Sequence, residues 1–227
     1  EPKYAIPNID STLAIPEYSF KYYDQSVMPR DYVLCRTDSW GYYTNGRISI
    51  SEQPKYSLTL PQIGGSLTEV LKEISYPTKG RTQFEYENHT YSKQVSSNRK
   101  NIENKVGFSG GLRIKEITKL KQDGTITKRL RYHYAEDINA KEDMNDEKNS
   151  SGISNGEPQF AETYYFLGTS NSKRATIYST AGFSNPVTNQ NSPSVGYSSV
   201  IEETLDADGN QLGYTRYRFS NYDKDIY

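Results

Sequence analysis

The residues of this chain whose types could do chemistry are few and widely spaced. The two histidines, His89 and His133, have no His-Glu-x-x-His spacing, so the sequence offers no ligand set for a zinc hydrolase. His133 alternates with arginines, which favours a strand residue in solvent over a catalytic base. His89 lies in Asn88-His89-Thr90, just past the first hairpin, where we predict a turn role. A Ser-His-Asp arrangement stays open at this stage. We therefore predict a protein that is not an enzyme and that uses no metal or cofactor.

Repeated carboxylates are the second candidate for chemistry. Glu73 and Glu116 occupy equivalent positions in two similar units, and two such groups could act as the acid and base of a glycosidase. Because Lys and Arg surround them, we favour cross-strand charge pairing, worth about 0.2–1 kcal/mol a pair. The segment Asp206-Ala207-Asp208-Gly209-Asn210 is similar to a calcium loop but lacks the ligand spacing and closing glutamate of an EF-hand, which indicates a β-turn.

The most distinctive local motif is aromatic. It reads Asp38-Ser39-Trp40-Gly41-Tyr42-Tyr43-Thr44-Asn45-Gly46 and holds the only tryptophan. One interpretation is a binding site in which the rings of Trp40, Tyr42 and Tyr43 stack on a glycan or a partner protein. The interpretation that we favour is that Trp40 plugs one end of a sheet while the loop turns around Gly41.

Composition narrows the classes of function. The formal net charge of -1 provides no field for attracting nucleic acid or an anionic membrane, and we expect neither as a partner. No apolar stretch is long enough to cross a bilayer, so we expect no membrane insertion. The single cysteine, Cys35, excludes an intramolecular disulfide. The hydrophobic content is low, at 33%, and it includes 21 tyrosines, which cover apolar area while their hydroxyls still reach water.

The elements that must position these residues are β-hairpins. The clearest spans residues 67–91, where Pro77 and Gly80 predict a turn, with Gly80 taking the positive φ. A second hairpin at 112–134 turns at Asp123-Gly124, and a phase shift at Ile117 predicts a bulge. A third runs from Tyr197 to Phe219 and turns at 206–210.

The rest of the chain divides into shorter strands and polar loops. Strands are predicted at 18–23, 31–34, 160–167 and 174–178. Residues 92–109 carry no clean period and predict a loop, or one poor helix at 101–106. Residues 136–159 predict a long mobile loop because they cannot bury enough apolar surface, and 182–196 predict another loop.

The three hairpins share a pattern. In each, a strand that carries a glutamate (Glu73, Glu116, Glu203) leads to a turn closed by glycine (Gly80, Gly124, Gly209). The returning strand then carries two aromatic residues separated by one position. In this pattern, and in the stretches 38–46, 74–87 and 110–115, the chain resembles bacterial YD-repeat (Rhs-type) proteins.

The resemblance implies a fold and a setting. The expected fold is all-β, with antiparallel hairpins forming a curved, extended, solenoid-like sheet. Residues 1–65 would hold N-terminal strands and the aromatic loop, and residues 66–227 the hairpin region, as one continuous domain. The function implied is a scaffold or shell segment of a longer secreted or cell-surface polypeptide. Recognition of a glycan or surface protein through Trp40, Tyr42 and Tyr43 is the alternative.

Overall fold

The computed structural model describes residues 17–23, 38, 40–44, 63–96, 100–139, 149–156, 161–166, 173–178 and 194–222. These residues form eleven strands and one short helix, which confirms the all-β prediction. The elements in chain order are β1 (Ser19–Tyr22), α1 (Ile63–Ser66), β2 (Leu71–Ser75), β3 (Arg81–Val95), β4 (Ile102–Leu120), β5 (Ile126–His133), β6 (Gly152–Ser154), β7 (Ala161–Phe166), β8 (Lys173–Tyr178), β9 (Val195–Tyr197), β10 (Ser199–Leu205) and β11 (Gln211–Arg218).

Most strands belong to one open, mainly antiparallel sheet. Its order is β1-β2-β3-β4-β5-β10-β11, so β1 and β11 are its outer strands. β6 lies parallel to the second half of β3 and pairs with β9 on its other side. β7 and β8 form a separate antiparallel pair, which confirms the two strands predicted there. The strand predicted at 18–23 is β1.

The register separates an apolar row from a charged row. Phe84, Ile117, Leu130 and Thr204 are successive neighbours across four strands and share one face. One position further along, Glu85, Glu116, Arg131 and Glu203 are successive neighbours on the opposite face. The buried apolar side chains of the described residues are few, which fits the low hydrophobic content; they include Leu130, Ile153, Val195, Ile201 and Leu205.

All three predicted hairpins are present, as β2–β3, β4–β5 and β10–β11. Gly124 and Gly209 take positive φ of 86° and 91° in the second and third turns. The first turn differs from the prediction, because Lys79, not Gly80, has the positive φ, at 64°. Gly80 lies against β4 instead: a Cβ there would stand 3.3 Å from the carbonyl oxygen of Leu120.

The prediction of a loop or poor helix at 92–109 is wrong. β3 extends to Val95 and β4 begins at Ile102, so most of this segment is paired strand. The period was hidden because the β3–β4 register shifts twice: β4 carries two extra residues opposite Asn88/His89 and one opposite Tyr91/Lys93, and the single extra residue reverses the facing of the side chains that follow. Exposure of both faces around residues 103–106 also removes the alternation.

A bulge does interrupt β4, but not at Ile117. Glu85 lies opposite Glu116 while Tyr86 lies opposite Ile114, so Lys115 is the extra residue. This bulge returns Glu116 and Ile117 to the faces that the hairpin pattern requires.

The prediction of one long loop over 136–159 is wrong for its second half. Residues 150–155 are buried and contain β6, although five of the six are Ser, Gly or Asn. Burial is possible because their polar groups are paired: Ser151 Oγ lies 3.1 Å from the carbonyl oxygen of Tyr134 and 2.6 Å from that of Ser199. The predicted strand at 31–34, Cys35, residues 140–148 and most of the predicted loop at 182–196 lie outside the described residues.

Candidate functional site

The aromatic loop is a tight turn built on Asp38. The backbone N–H of Asp38 donates to the carbonyl of Tyr42 over 2.7 Å, and Oδ1 of Asp38 accepts from the backbone N–H groups of Trp40 and Tyr42 at 2.9 Å each. Gly41 completes the turn with a φ of 90°. An Asx turn of this kind, in which an aspartate side chain bonds the backbone ahead of it, explains why Asp, Trp, Gly and Tyr occur together. It also sets the directions of the Trp40 and Tyr42 side chains.

Two consecutive glycines of β4 receive the loop. A Cβ on Gly110 would overlap the side chain of Trp40, and a Cβ on Gly111 would stand 2.9 Å from Cζ of Tyr42. Gly111 also has a positive φ of 91°. The stretches 38–46 and 110–115 are therefore structurally coupled, because the second provides the space that the rings of the first require.

The three residues predicted as a binding platform differ in exposure. Trp40 is buried, with 7% of its surface accessible, so its indole offers a ligand little area. Tyr42 is 47% exposed, and Tyr43 is half-buried. Trp40 is thus buried as a packing residue, although it lies against Gly110 within β4 and not at an end of the sheet, and Tyr42 is the main ring of this loop that faces solvent.

Burial raises the pKa of Asp38, against the effect of the backbone N–H groups that it accepts. Its second oxygen, Oδ2, and Nε1 of Trp40 are both buried, and neither has a hydrogen-bond partner among the residues that the structure describes. Burying a polar atom without a partner lowers the stability of the folded protein. The loop is therefore held mainly by the packing of the Trp40 and Tyr42 rings and by the hydrogen bonds to Oδ1.

The three equivalent glutamates are all buried and all paired across strands. Glu73 accepts from Lys21 over 2.7 Å and from Gln83 over 2.8 Å. Glu116 accepts from both Arg129 and Arg131 of β5. Glu203 lies 2.9 Å from Nε2 of His133. The cross-strand pairing predicted from the sequence is therefore present. Glu73 forms an ion pair with Lys21 of β1 and Glu116 forms ion pairs within its own hairpin, whereas Glu203 is hydrogen-bonded to the imidazole of His133 on β5.

The protonation of these carboxylates bears on the glycosidase alternative. Burial alone would raise the pKa of Glu116, but the hydrogen bonds and charges of Arg129 and Arg131 outweigh it and hold that pKa below its usual range. Glu73 behaves in the same way with Lys21 and Gln83. Both groups are thus ionised at neutral pH, whereas a general acid of a glycosidase needs a raised pKa.

A second polar cluster, which the sequence did not reveal, lies where β3 and β4 meet β9. Arg113 is almost completely buried; its Nε donates to Glu87 over 2.8 Å and its Nη1 donates to the hydroxyl of Tyr197 over 2.9 Å. Its guanidinium also lies 4.1 Å from the ring centre of Tyr134. The hydroxyl of Tyr197 lies 2.9 Å from Nδ1 of His89, and the imidazole ring of His89 stacks on the ring of Tyr197. We call these five residues the Arg113 cluster.

The environment of His89 keeps it neutral. Burial, and then the charge of Arg113, lower the pKa of His89 from 6.5 to about 4, against a hydrogen bond with the backbone of Leu112. The sequence prediction for His89 was a turn role, whereas it lies within β3. No local signal could have identified this cluster, because Tyr197 is 84 residues from Arg113.

The remaining candidates have structural roles as well. One further motif was missed in the sequence: Gly152-Ile153-Ser154-Asn155-Gly156 matches the Gly-x-Ser-x-Gly spacing of a nucleophile elbow, but Ser154 is 1% exposed and ends a short strand. Both carboxylate oxygens of Asp206 bond Asn210, so 206–210 is the β-turn predicted. Among the described residues, no group of three or more His, Cys, Asp or Glu side chains could hold a metal ion.

Neither the fold nor these clusters lead to a known family. Comparisons with protein-family models, curated proteins and solved structures find no match. In the described part of the chain, no helix is long and apolar enough to cross a membrane.

Proposed function

We propose that the chain is a non-catalytic structural module of a larger secreted or cell-surface bacterial protein of the YD-repeat (Rhs-type) kind. The observation that carries this proposal is the shared role of Glu73, Glu116 and Glu203. Each is buried on the outgoing strand of its hairpin, two to four residues before that strand ends, and is bonded to a neighbouring strand. A group repeated in this way serves the sheet, whereas a catalytic group would occur once and face a substrate.

The two outer strands support the same proposal. β1 is exposed along its whole length; its Phe20 is 51% accessible, and Tyr18, just before the strand, is 60% accessible. At the opposite edge, β11 exposes Leu212 and Tyr214. A sheet that leaves large apolar side chains on both outer strands suits a longer assembly, in which further hairpins continue it into the curved, extended sheet expected from the resemblance.

One observation favours the alternative function of recognition. Tyr42 is exposed, and it is held in a fixed position by the turn at Asp38 and by Gly110 and Gly111. A rigid, exposed tyrosine binds a sugar face or a partner surface at low entropic cost. The alternative function would thus use Tyr42 with Tyr43, supported from below by Trp40.

A glycan-array screen of the purified chain separates the two functions. The scaffold proposal predicts no reproducible binding to the array. A Tyr42→Ala variant tests any signal, with Tyr222→Ala as the matched control because Tyr222 is 45% exposed outside the loop. Binding that Tyr42→Ala abolishes in a still-folded protein, and that Tyr222→Ala leaves intact, would replace the scaffold proposal by recognition.

A further inference from the structure

Glu202 is a carboxylate that has no cationic partner in the part of the chain that the structure describes. It lies on β10, two residues from Thr204, and therefore on the face of the sheet that carries the apolar row. The hydroxyl of Tyr132 donates to Oε2 of Glu202 over 2.8 Å, and Oε1 accepts no hydrogen bond from the described residues. The side chain is half-buried, and a half-buried carboxylate without a counter-ion is destabilising.

The neighbours of Glu202 on this face carry no charge. Tyr132 of β5 and Thr215 of β11 lie directly opposite it, and Val200 and Thr204 flank it along β10. The described part of the sheet therefore supplies no cation to this carboxylate, in contrast to the ion pairs of the first two hairpins.

Two tyrosine rings lie beside Glu202. Tyr132 is on β5 and Tyr217 is on β11, so their strands are about 10 Å apart with β10 between them. Tyr217 is 44% exposed. Burial, then Glu202, then the nearby Tyr217 raise the pKa of Tyr132 to about 12, which agrees with two hydroxyls in one neighbourhood. A Cβ on Gly213 would meet no atom within 4 Å, so the surface between the two rings is open.

The Arg113 cluster shows what such a set of groups binds. There, one carboxylate and two tyrosines hold a guanidinium: Nε of Arg113 donates to Glu87 over 2.8 Å, and the guanidinium carbon lies 4.1 and 5.2 Å from the ring centres of Tyr134 and Tyr197. The surroundings of Glu202 contain the same chemical groups, one carboxylate and two tyrosines, but no cation among the described residues.

We propose that Glu202, Tyr132 and Tyr217 form a binding site for a guanidinium group, supplied by an arginine side chain of a partner protein. The carboxylate would accept N–H groups of the guanidinium, and the tyrosine rings would lie against its planar faces. Guanidinium fits better than an ammonium group because it is more weakly hydrated and stacks on aromatic rings. We call these three residues the Glu202 site.

The Glu202 site goes beyond the proposed function and does not rest on it. A structural module and a glycan-binding module could each carry this site on the open face of β10 and β11. Failure of arginine binding would leave the glycan-array result unchanged, and binding to a glycan through Tyr42 would leave arginine binding unchanged.

The first test is an NMR titration of the whole isotope-labelled chain with the capped peptide acetyl-Gly-Arg-Gly-amide. We expect saturable shifts of amide signals around Glu202 and Thr215, with a dissociation constant on the order of 1 mM. The lysine peptide should bind at least about threefold more weakly. The citrulline peptide, which has the shape of arginine without its charge, should not bind.

Three results of this titration would overturn the proposal. The first is the absence of a saturable shift with the arginine peptide up to about 20 mM. The second is equal binding of the lysine peptide, which would exclude a guanidinium site. The third is equal binding of the citrulline peptide, which would exclude a role for the charge of Glu202.

Variants locate the site on the sheet. Glu202→Gln should weaken binding of the arginine peptide at least about tenfold, and Tyr217→Ala about threefold. Glu85→Gln removes the same charge from the opposite face, and Tyr222→Ala removes a ring of similar exposure, 45%. Both controls should leave binding unchanged, and equal weakening in the controls would place the bound peptide elsewhere and overturn the proposal.

The stability of Glu202→Gln separates a binding site from a structural ion pair. Because Glu202 lacks a cation in the described part of the chain, its neutralisation should leave the free energy of unfolding unchanged or raise it slightly, whereas Glu116→Gln should lower it. The arginine peptide should raise the melting temperature of the wild type and not that of Glu202→Gln. A Glu202→Gln variant as unstable as Glu116→Gln would identify Glu202 as a structural residue and contradict the proposed site.

Discussion

The Arg113 cluster predicts that stability depends on pH through His89. The folded protein holds this imidazole neutral, with a pKa lowered to about 4, whereas the unfolded chain protonates it near 6.5. Between these values the unfolded state binds more protons than the folded state, so the free energy of unfolding falls as the pH falls. The contribution is complete above about pH 6.5, decreases from there to about pH 4, and is constant below.

The size of the effect follows from the same two values. At about 1.4 kcal/mol for each tenfold change in proton concentration, the whole difference corresponds to about 3 kcal/mol. Between about pH 7.5 and pH 5.0, a range in which ordinary carboxylates stay ionised, the loss attributable to His89 is about 2 kcal/mol. That is a large part of the stability of a typical domain.

Urea unfolding followed by circular dichroism, at several pH values between about 7.5 and 5.0, would measure this loss of unfolding free energy. We expect the free energy of unfolding of the wild type to fall by about 2 kcal/mol more than that of His89→Gln, which carries no titrating ring. His133→Gln removes the other histidine and should keep the dependence due to His89. Equal pH dependence in the wild type and His89→Gln would refute the reasoning.

Three further substitutions test the packing and the charged row. Gly110→Ala should cost about 1–3 kcal/mol of unfolding free energy in chemical denaturation, because its methyl group overlaps the indole of the aromatic loop, whereas Gly213→Ala, with open space around it, should cost less than about 1 kcal/mol. Glu116→Gln should lower the free energy of unfolding by about 1–3 kcal/mol, because it leaves Arg129 and Arg131 without their anion. Glu85→Gln, at the exposed position directly opposite, should have little effect or stabilise slightly. Equal effects of the two substitutions would count against the buried pairing. Lys79→Gly should raise the melting temperature, since the positive φ at this position costs a non-glycine residue about 1 kcal/mol, and a lower melting temperature would disagree with the turn described.

The hairpins could be predicted because their signals are local. In the second and third turns, an aspartate and a glycine within a few residues fix the chain reversal, and the strands alternate on both sides of it. The cross-strand pairing of Glu73 and Glu116 followed from the same alternation. Prediction failed where neighbouring residues carry no information, as at Lys79, whose positive φ no residue type nearby indicates.

Features that depend on distant partners could not be predicted. The segment around Ser151 looks too polar to be buried, and its burial depends on distant partners: the hydroxyl of Ser151 lies within hydrogen-bond distance of the carbonyl oxygens of Tyr134 and Ser199, and its backbone N–H donates to Tyr134. The packing role of Trp40 was one of two interpretations, and the choice depended on Gly110, 70 positions further along the chain. The Arg113 cluster likewise joins β4 to β9, which are far apart in sequence.

The most direct test of the structural role proposed for the chain is the fluorescence of its single tryptophan with added acrylamide. If the aromatic loop is a packed part of the sheet, Trp40 should emit at a blue-shifted wavelength and resist quenching in the native protein, and both properties should disappear in urea. Emission typical of a hydrated indole, quenched in the native protein as readily as in the unfolded chain, would contradict the packed loop and favour an open aromatic platform.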